Sequence, residues 1–181
     1  MIRKAFIAIL IAVPLVSCGE ENTVAVPAPA VSAFYDIVVN ERQGGVPDMD
    51  MRARLRPVIS PELDSLLAQA AEAERRHTMR TNNSEPPYLQ GDIFSSLFEG
   101  ATAYEVGACA TENAETVACV VSLSYEGEGE TAEWEDRVLL TISANDASLF
   151  LVDDIAYGGE WDFASRGTLK GSLRAVIAEE E

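Results

Sequence analysis

The stretch Trp134–Tyr157, WEDRVLLTISANDASLFLVDDIAY, decides the fold. Two runs, 134–144 and 148–157, are rich in Val, Leu, Ile, Phe and Thr, with Asn145-Asp146-Ala147 between them. β-branched and aromatic side chains suit a pleated surface, and Asn and Asp suit a turn. The stretch predicts two antiparallel strands joined as a hairpin. Upstream, 117–125 (VACVVSLSY) alternates Val117, Cys119, Val121, Leu123 and Tyr125 against small or polar partners, and 102–110 (TAYEVGACA) is also strand-like. The spacing predicts a meander of about four antiparallel strands. Leu139-Leu140 and Phe150-Leu151 make the sheet apolar on both faces in places.

Before the strands, the apolar spacing turns helical. Phe34, Ile37 and Val38 share one face of a helix that Ser32 can cap and Gln43-Gly44-Gly45 stops. Asp48 or Asp50 opens a short helix with Met51, Leu55 and Val58. Ser60 as cap and Pro61 in the first turn start a longer one. Its stripe is Leu63, Leu66, Leu67, Ala70 and Ala71, then Glu74 or His77, and it ends near 79–81. Residues 82–91 (NNSEPPYLQG) read as a loop. Asp92 can cap a short helix through Ile93, Phe94, Leu97 and Phe98, closed by Gly100. Thr168 caps a last helix with Leu169, Leu173, Val176 and Ile177, and Glu179–Glu181 form a frayed tail. Helices first and strands second predict an α+β domain over 32–181, with N-terminal helices packed on a curved antiparallel sheet.

The amino terminus reads as an address. Residues 1–17 (MIRKAFIAILIAVPLVS) combine a basic start, Arg3 and Lys4, with an apolar run from Ala5 to Val16. That run is too short for a bilayer span of about 20 residues, and fits a signal peptide. Leu15-Val16-Ser17-Cys18 resembles the lipobox of bacterial lipoproteins, in which the Cys is acylated and becomes the new amino terminus. The resemblance implies an acylated Cys18, a membrane as partner and an envelope location. Gly19 in place of Asp implies the outer membrane, facing the periplasm. Two or three acyl chains anchor persistently where one does so only marginally. Residues 18–31, with Pro27 and Pro29, then read as a flexible tether.

Three further segments carry a resemblance: Ser60-Pro61-Glu62-Leu63, Tyr88-Leu89-Gln90-Gly91-Asp92-Ile93-Phe94, and Val152-Asp153-Asp154-Ile155-Ala156-Tyr157-Gly158-Gly159-Glu160-Trp161-Asp162-Phe163. Together with the element order, they resemble an uncharacterised family of bacterial secreted proteins with a nuclear transport factor 2-like (cystatin-like) fold. That implies an α+β cone in which a pocket can form between curved sheet and helices, and it brings no reaction with it. Tyr88, Asp92, Tyr157 and Trp161 are the candidate pocket residues.

Cys109 and Cys119 flank a turn centred near Ala114, a register that sets them opposite each other in a disulfide. The same register puts Glu105 against the apolar Leu123, while Tyr104 and Val106 look like inward residues. A bulge at Gly107 would reconcile the two.

Asp153, Asp154 and Tyr157 are the candidates for catalysis. Adjacent strand residues point to opposite faces, so the two aspartates do not pair. One of them works as a pocket acid or base beside Tyr157, or as a structural acceptor for the Gly158-Gly159 turn and the Trp161 or Tyr157 donors. Trp161 and Phe163 line a pocket or plug the end of the sheet. His77 reads as a partly exposed helix-end residue. No G-x-S-x-G and no glycine-rich phosphate loop occurs, and Glu126–Glu130 lacks the ligand spacing of a calcium loop. One histidine and three cysteines predict neither metal nor cofactor.

The chain has 181 residues, with 13 Lys plus Arg and 30 Asp plus Glu, a net charge of −17. Nucleic acid needs a basic surface and is excluded as a partner. Residues 81–181 hold 20 acidic and four basic groups, against 10 and seven in 18–80. An acidic face steers cationic partners. Three functions stand: a non-catalytic, lipid-anchored binding module; an acidic inhibitor or partner of a basic envelope protein; and a small-molecule isomerase or hydrolase using a pocket Asp and Tyr.

Overall fold

The computed structural model describes residues 26–127 and 129–180. The signal peptide, Cys18 and most of the expected tether lie outside the described residues. The elements are α1 Ala28–Glu41, α2 Met49–Leu55, α3 Pro61–Arg80, β1 Ala103–Thr111, β2 Thr116–Gly127, β3 Glu130–Ser143, β4 Asp146–Ala156 and α4 Leu169–Glu179. The four strands form one open antiparallel sheet in the order β1-β2-β3-β4, the meander that the alternation predicts.

The helix starts follow local chemistry. Asp48 accepts from the Met51 N–H at 2.8 Å, Ser60 from Leu63 at 3.0 Å and Thr168 from Gly171 at 3.1 Å, so α2, α3 and α4 are each capped as their sequences predict. α1 departs from expectation. It begins at Ala28, with Pro27 at the cap position and no side-chain cap, and Ser32 lies inside it. Residues 28–31 therefore belong to the domain and not to a tether. Proline is tolerated in a first turn, where its missing N–H needs no partner, and Val31 is fully buried. Hydrophobic contact extends the helix past the residue that could have started it.

The core fills the space between one sheet face and the helices. Phe34 and Tyr35 of α1 meet Phe94 and Tyr104, edge-to-face at 5.5 Å and stacked at 5.4 Å respectively. Leu63, Leu67 and Ala70 of α3 join Val121, Leu123, Val138, Leu140, Val152 and Ile155 of the sheet. Ala71 is only half-buried, and Ala73 takes the place the stripe assigned to it. The tail is held rather than frayed at Glu180, whose carboxylate accepts from Arg80 at 2.5 Å and from the Tyr88 hydroxyl at 2.8 Å.

The β1–β2 register confirms the cysteine pairing and the bulge. Cys109 faces Cys119 in a disulfide with Cα atoms 4.0 Å apart. The ladder shifts between Val106 and Cys109, so Tyr104, not Glu105, lies opposite Leu123. The extra residue at Gly107-Ala108 turns Tyr104 and Val106 to the core side and Glu105 outward.

The second half of the free edge of β4 is covered by two short bridges, Ile59 parallel to Val152 and Thr168 antiparallel to Ala156. Among the described residues β1 has no such neighbour on its outer side.

Candidate functional site

Segment 91–100 is where sequence and structure diverge most. It is a chain of turns, not a helix. Asp92 accepts from the Phe94 N–H at 3.1 Å and from the Ser95 hydroxyl at 2.6 Å, and its own N–H donates to Phe98 O at 2.7 Å. An aspartate side chain that captures nearby donors competes with the helix it could have capped. Gly91, at φ +66°, has Phe98 packed where a Cβ would be, so only glycine fits.

The turns deliver Ser96 to a buried carboxylate on β3. Asp136 accepts from Ser96 N–H at 2.9 Å, from the Ser96 hydroxyl, from Trp134 Nε1 at 3.1 Å and from Gly158 N–H at 2.8 Å. The Ser96 hydroxyl oxygen in turn accepts from Gly159 N–H at 3.0 Å. Asp136 is fully buried and its lone pairs are taken, as a buried charge requires. It holds the Gly158-Gly159 turn that the sequence reading gave to Asp153 or Asp154. Asp136 was the missed residue. The signal was parity: Trp134, Asp136, Val138 and Leu140 all face inward, so an acid sits where only apolar residues are expected.

Asp153 and Asp154 serve α4. Asp154 accepts from Ile155 N–H at 2.8 Å and from Lys170 N–H at 2.9 Å, adding a second acceptor to the Thr168 cap. Asp153 pairs with Lys170 Nζ at 2.7 Å, and the same ammonium pairs with Glu62 of α3 at 2.9 Å. The ladder shift between Leu139 and Leu140 falls beside Asp153, which lets neighbouring aspartates converge on one lysine. Asp153 also borders a groove of about 710 Å³ with Ile142, Leu149 and Leu151.

Tyr157 donates its hydroxyl to Ile93 O at 2.6 Å. Burial, then the Asp92, Asp154 and Asp136 charges, push its ionisation well above the ordinary phenol range. Tyr35 donates to Phe94 O at 3.4 Å, and is pushed up by burial first and by the charges of Asp136 and Asp92 next. Burial also raises Asp92 above the usual carboxylate range, with its hydrogen bonds acting against that rise.

The four pocket candidates do not converge. Tyr157 and Trp161 share a shallow groove of about 600 Å³ with Trp134 and Glu135. Trp161 packs edge-to-face on Trp134 at 5.9 Å. Asp92 borders a cleft of about 90 Å³ beside Arg42 and Glu99. Tyr88 lies against His77, ring to ring at 4.2 Å, and bonds Glu180. Phe163 is 92% exposed and plugs nothing. His77 is 3% exposed, not a surface residue: Nε2 faces Pro86 O at 3.0 Å and Nδ1 faces Arg80 at 3.0 Å. Its neighbours from α4 and loop 81–90 cover the helix end.

Among the described residues, no group of three or more His, Cys, Asp or Glu is placed to hold a metal ion. No helix among them is long and apolar enough to cross a membrane. The chain matches no protein-family model, no curated protein and no solved structure.

Proposed function

We propose that this chain is a lipid-anchored, non-catalytic binding module of the bacterial cell envelope, with a nuclear transport factor 2-like cone carried on acylated Cys18. One observation carries the non-catalytic reading. Asp154 Oδ1 accepts from the Ile155 and Lys170 N–H groups, the Tyr157 hydroxyl donates to Ile93 O, and Asp153 pairs with the Lys170 ammonium. A general acid or base must have its reactive atom within reach of a substrate. The element order supports the cone: helices first, a four-stranded antiparallel meander second, one sheet face on the core. The basic start, short apolar run and Leu15–Cys18 box support the anchor.

Metabolic labelling with a palmitate analogue in a bacterial host tests the anchor. The wild-type chain is expected to take up label and Cys18→Ser to lose it. Label that persists in Cys18→Ser overturns the anchor. An acidic partner of a basic envelope protein is the second reading, favoured by the 20 acidic and four basic groups of residues 81–181.

A further inference from the structure

The two edges of the sheet are not alike. The outer side of β4 is bridged at Val152 by Ile59 and at Ala156 by Thr168, so its second half has partners. The outer side of β1 is paired to nothing along its length among the described residues. In an antiparallel ladder, alternate residues of an edge strand turn their N–H and C=O groups away from the neighbouring strand. The close Cys109–Cys119 pair, at a Cα separation of 4.0 Å, marks one such position. Glu112 N–H bonding to Thr116 O at 2.9 Å marks Thr111 as another. β1 carries no proline and no lysine, two common blocks against pairing with another chain.

The side chains beside this edge differ by face. On the outer face Glu105 lies across from Ser122, and Ser122 across from Glu135; Ser124 lies across from Glu133. All three glutamates are exposed, around a shallow groove of about 580 Å³. On the core side Tyr104 and Val106 are half-buried and offer apolar surface at the rim. A strand added to β1 alternates its side chains between these two faces. Its outward positions meet Glu105 of β1, with Glu133 and Glu135 on β3 three strand spacings away, about 14 Å, and its inward positions meet Tyr104 and Val106.

From this edge we infer that β1 accepts an extended segment of a partner protein as a fifth strand, a segment alternating basic and apolar residues. The inference rests on the binding-module reading and names its partner chemistry. Backbone hydrogen bonds supply the attachment and alternate side chains the selectivity. A second copy of this chain is the poorer occupant. It brings the same acidic face, so its Glu105 would stand against like charge.

The test uses the full chain in uncharged detergent micelles and a fluorescent peptide of alternating lysine and valine, as long as β1. Anisotropy is expected to rise on titration. A peptide N-methylated on alternate residues keeps every charge and loses the backbone donors, and should bind roughly tenfold or more weakly, about 1.4 kcal/mol. Glu105→Lys should weaken the parent peptide by a similar factor, as should added salt in direction. Thr111→Pro blocks one outward N–H and should weaken it too. Equal binding of parent and N-methylated peptides overturns the proposal, because the contact is then charge alone. Equal binding of a glutamate–valine peptide also overturns it. A dimer through β1 in sedimentation replaces the partner with a second copy and overturns it likewise. Palmitate labelling reads the anchor and this titration reads the edge, so the two proposals fail separately.

Discussion

Asp136 and Ser96, forty residues apart, meet through two hydrogen bonds to one carboxylate, from the serine N–H at 2.9 Å and from its hydroxyl. This contact fixes loop 91–100 on the sheet and brings the Gly158-Gly159 turn to the same point.

Removing the carboxylate leaves three buried donors without a partner, the Ser96 N–H, the Ser96 hydroxyl and the Trp134 Nε1–H. Each costs about 1–3 kcal/mol. Asp136→Ala is therefore expected to lose at least about 3 kcal/mol of unfolding free energy. Asp136→Asn, which keeps one acceptor oxygen, should lose less. Urea midpoints of both variants against the parent measure the difference. A loss below about 1 kcal/mol in the alanine variant refutes the structural role.

The Cys109–Cys119 disulfide closes a short loop with ten residues of separation. Restraining that loop in the unfolded chain is expected to stabilise the domain by about 2–3 kcal/mol. The double variant Cys109→Ser, Cys119→Ser should show that loss in chemical unfolding. In denaturant, a Cys18→Ser chain should give no titratable thiol before reduction and two after it. Two reactive thiols without reductant contradict the pairing.

Asp92 carries a folded-state ionisation raised mainly by burial. Below the unfolded carboxyl value near about pH 3.9, both states hold the proton and the group has no effect. As pH rises past that value the unfolded chain ionises first, so stability falls until the folded group ionises too. Asp92→Asn removes this penalty while its oxygen still accepts from Phe94 N–H. Its unfolding midpoint relative to the parent should therefore improve from acid to neutral pH. An unchanged difference across that range would remove Asp92 as a pH-sensitive group.

Tyr35 and Tyr157 are both raised, by burial first. A raised folded value protects stability below the unfolded phenol value near about pH 10, and that stability is lost as pH climbs toward the folded value. Phenolate absorbance on titration should show Tyr35 and Tyr157 ionising last, together with unfolding, after Tyr88 and Tyr104, which are also raised. Tyr157→Phe should remove one of them and leave Ile93 O without its donor. Five tyrosines titrating together in the ordinary range count against this burial.

Gly158 has no room for a side chain, because a Cβ would fall on the carbonyl oxygen of Glu135. Backbone cannot yield as a flexible side chain can. Gly158→Ala is expected to lose about 1–3 kcal/mol. Gly129→Ala, whose Cβ would meet nothing, strains only the turn at φ +86° and should lose less. The order of the two thermal midpoints decides.

Much of this molecule is local. The alternation in 117–125 and 134–157 specifies strands because a pleat exposes every second side chain to one face. Asp48, Ser60 and Thr168 specify helix starts because each reaches an N–H within three residues. The Cys109–Cys119 register and its bulge follow from two cysteines and a glycine on neighbouring strands. What stayed hidden depends on partners far along the chain. Val31 extends α1 only because a core is there to bury it. Asp92 and Ser95-Ser96 abandon the helix because donors are captured at one end and Asp136 waits at the other, forty residues on. His77 is buried because α4 and loop 81–90 fold over it. The sequence alone determined the four strands of the meander and the starts of α2, α3 and α4. The tertiary structure decided which carboxylate is buried and which sheet edge stays open, because desolvation and backbone pairing depend on neighbours that no local pattern names.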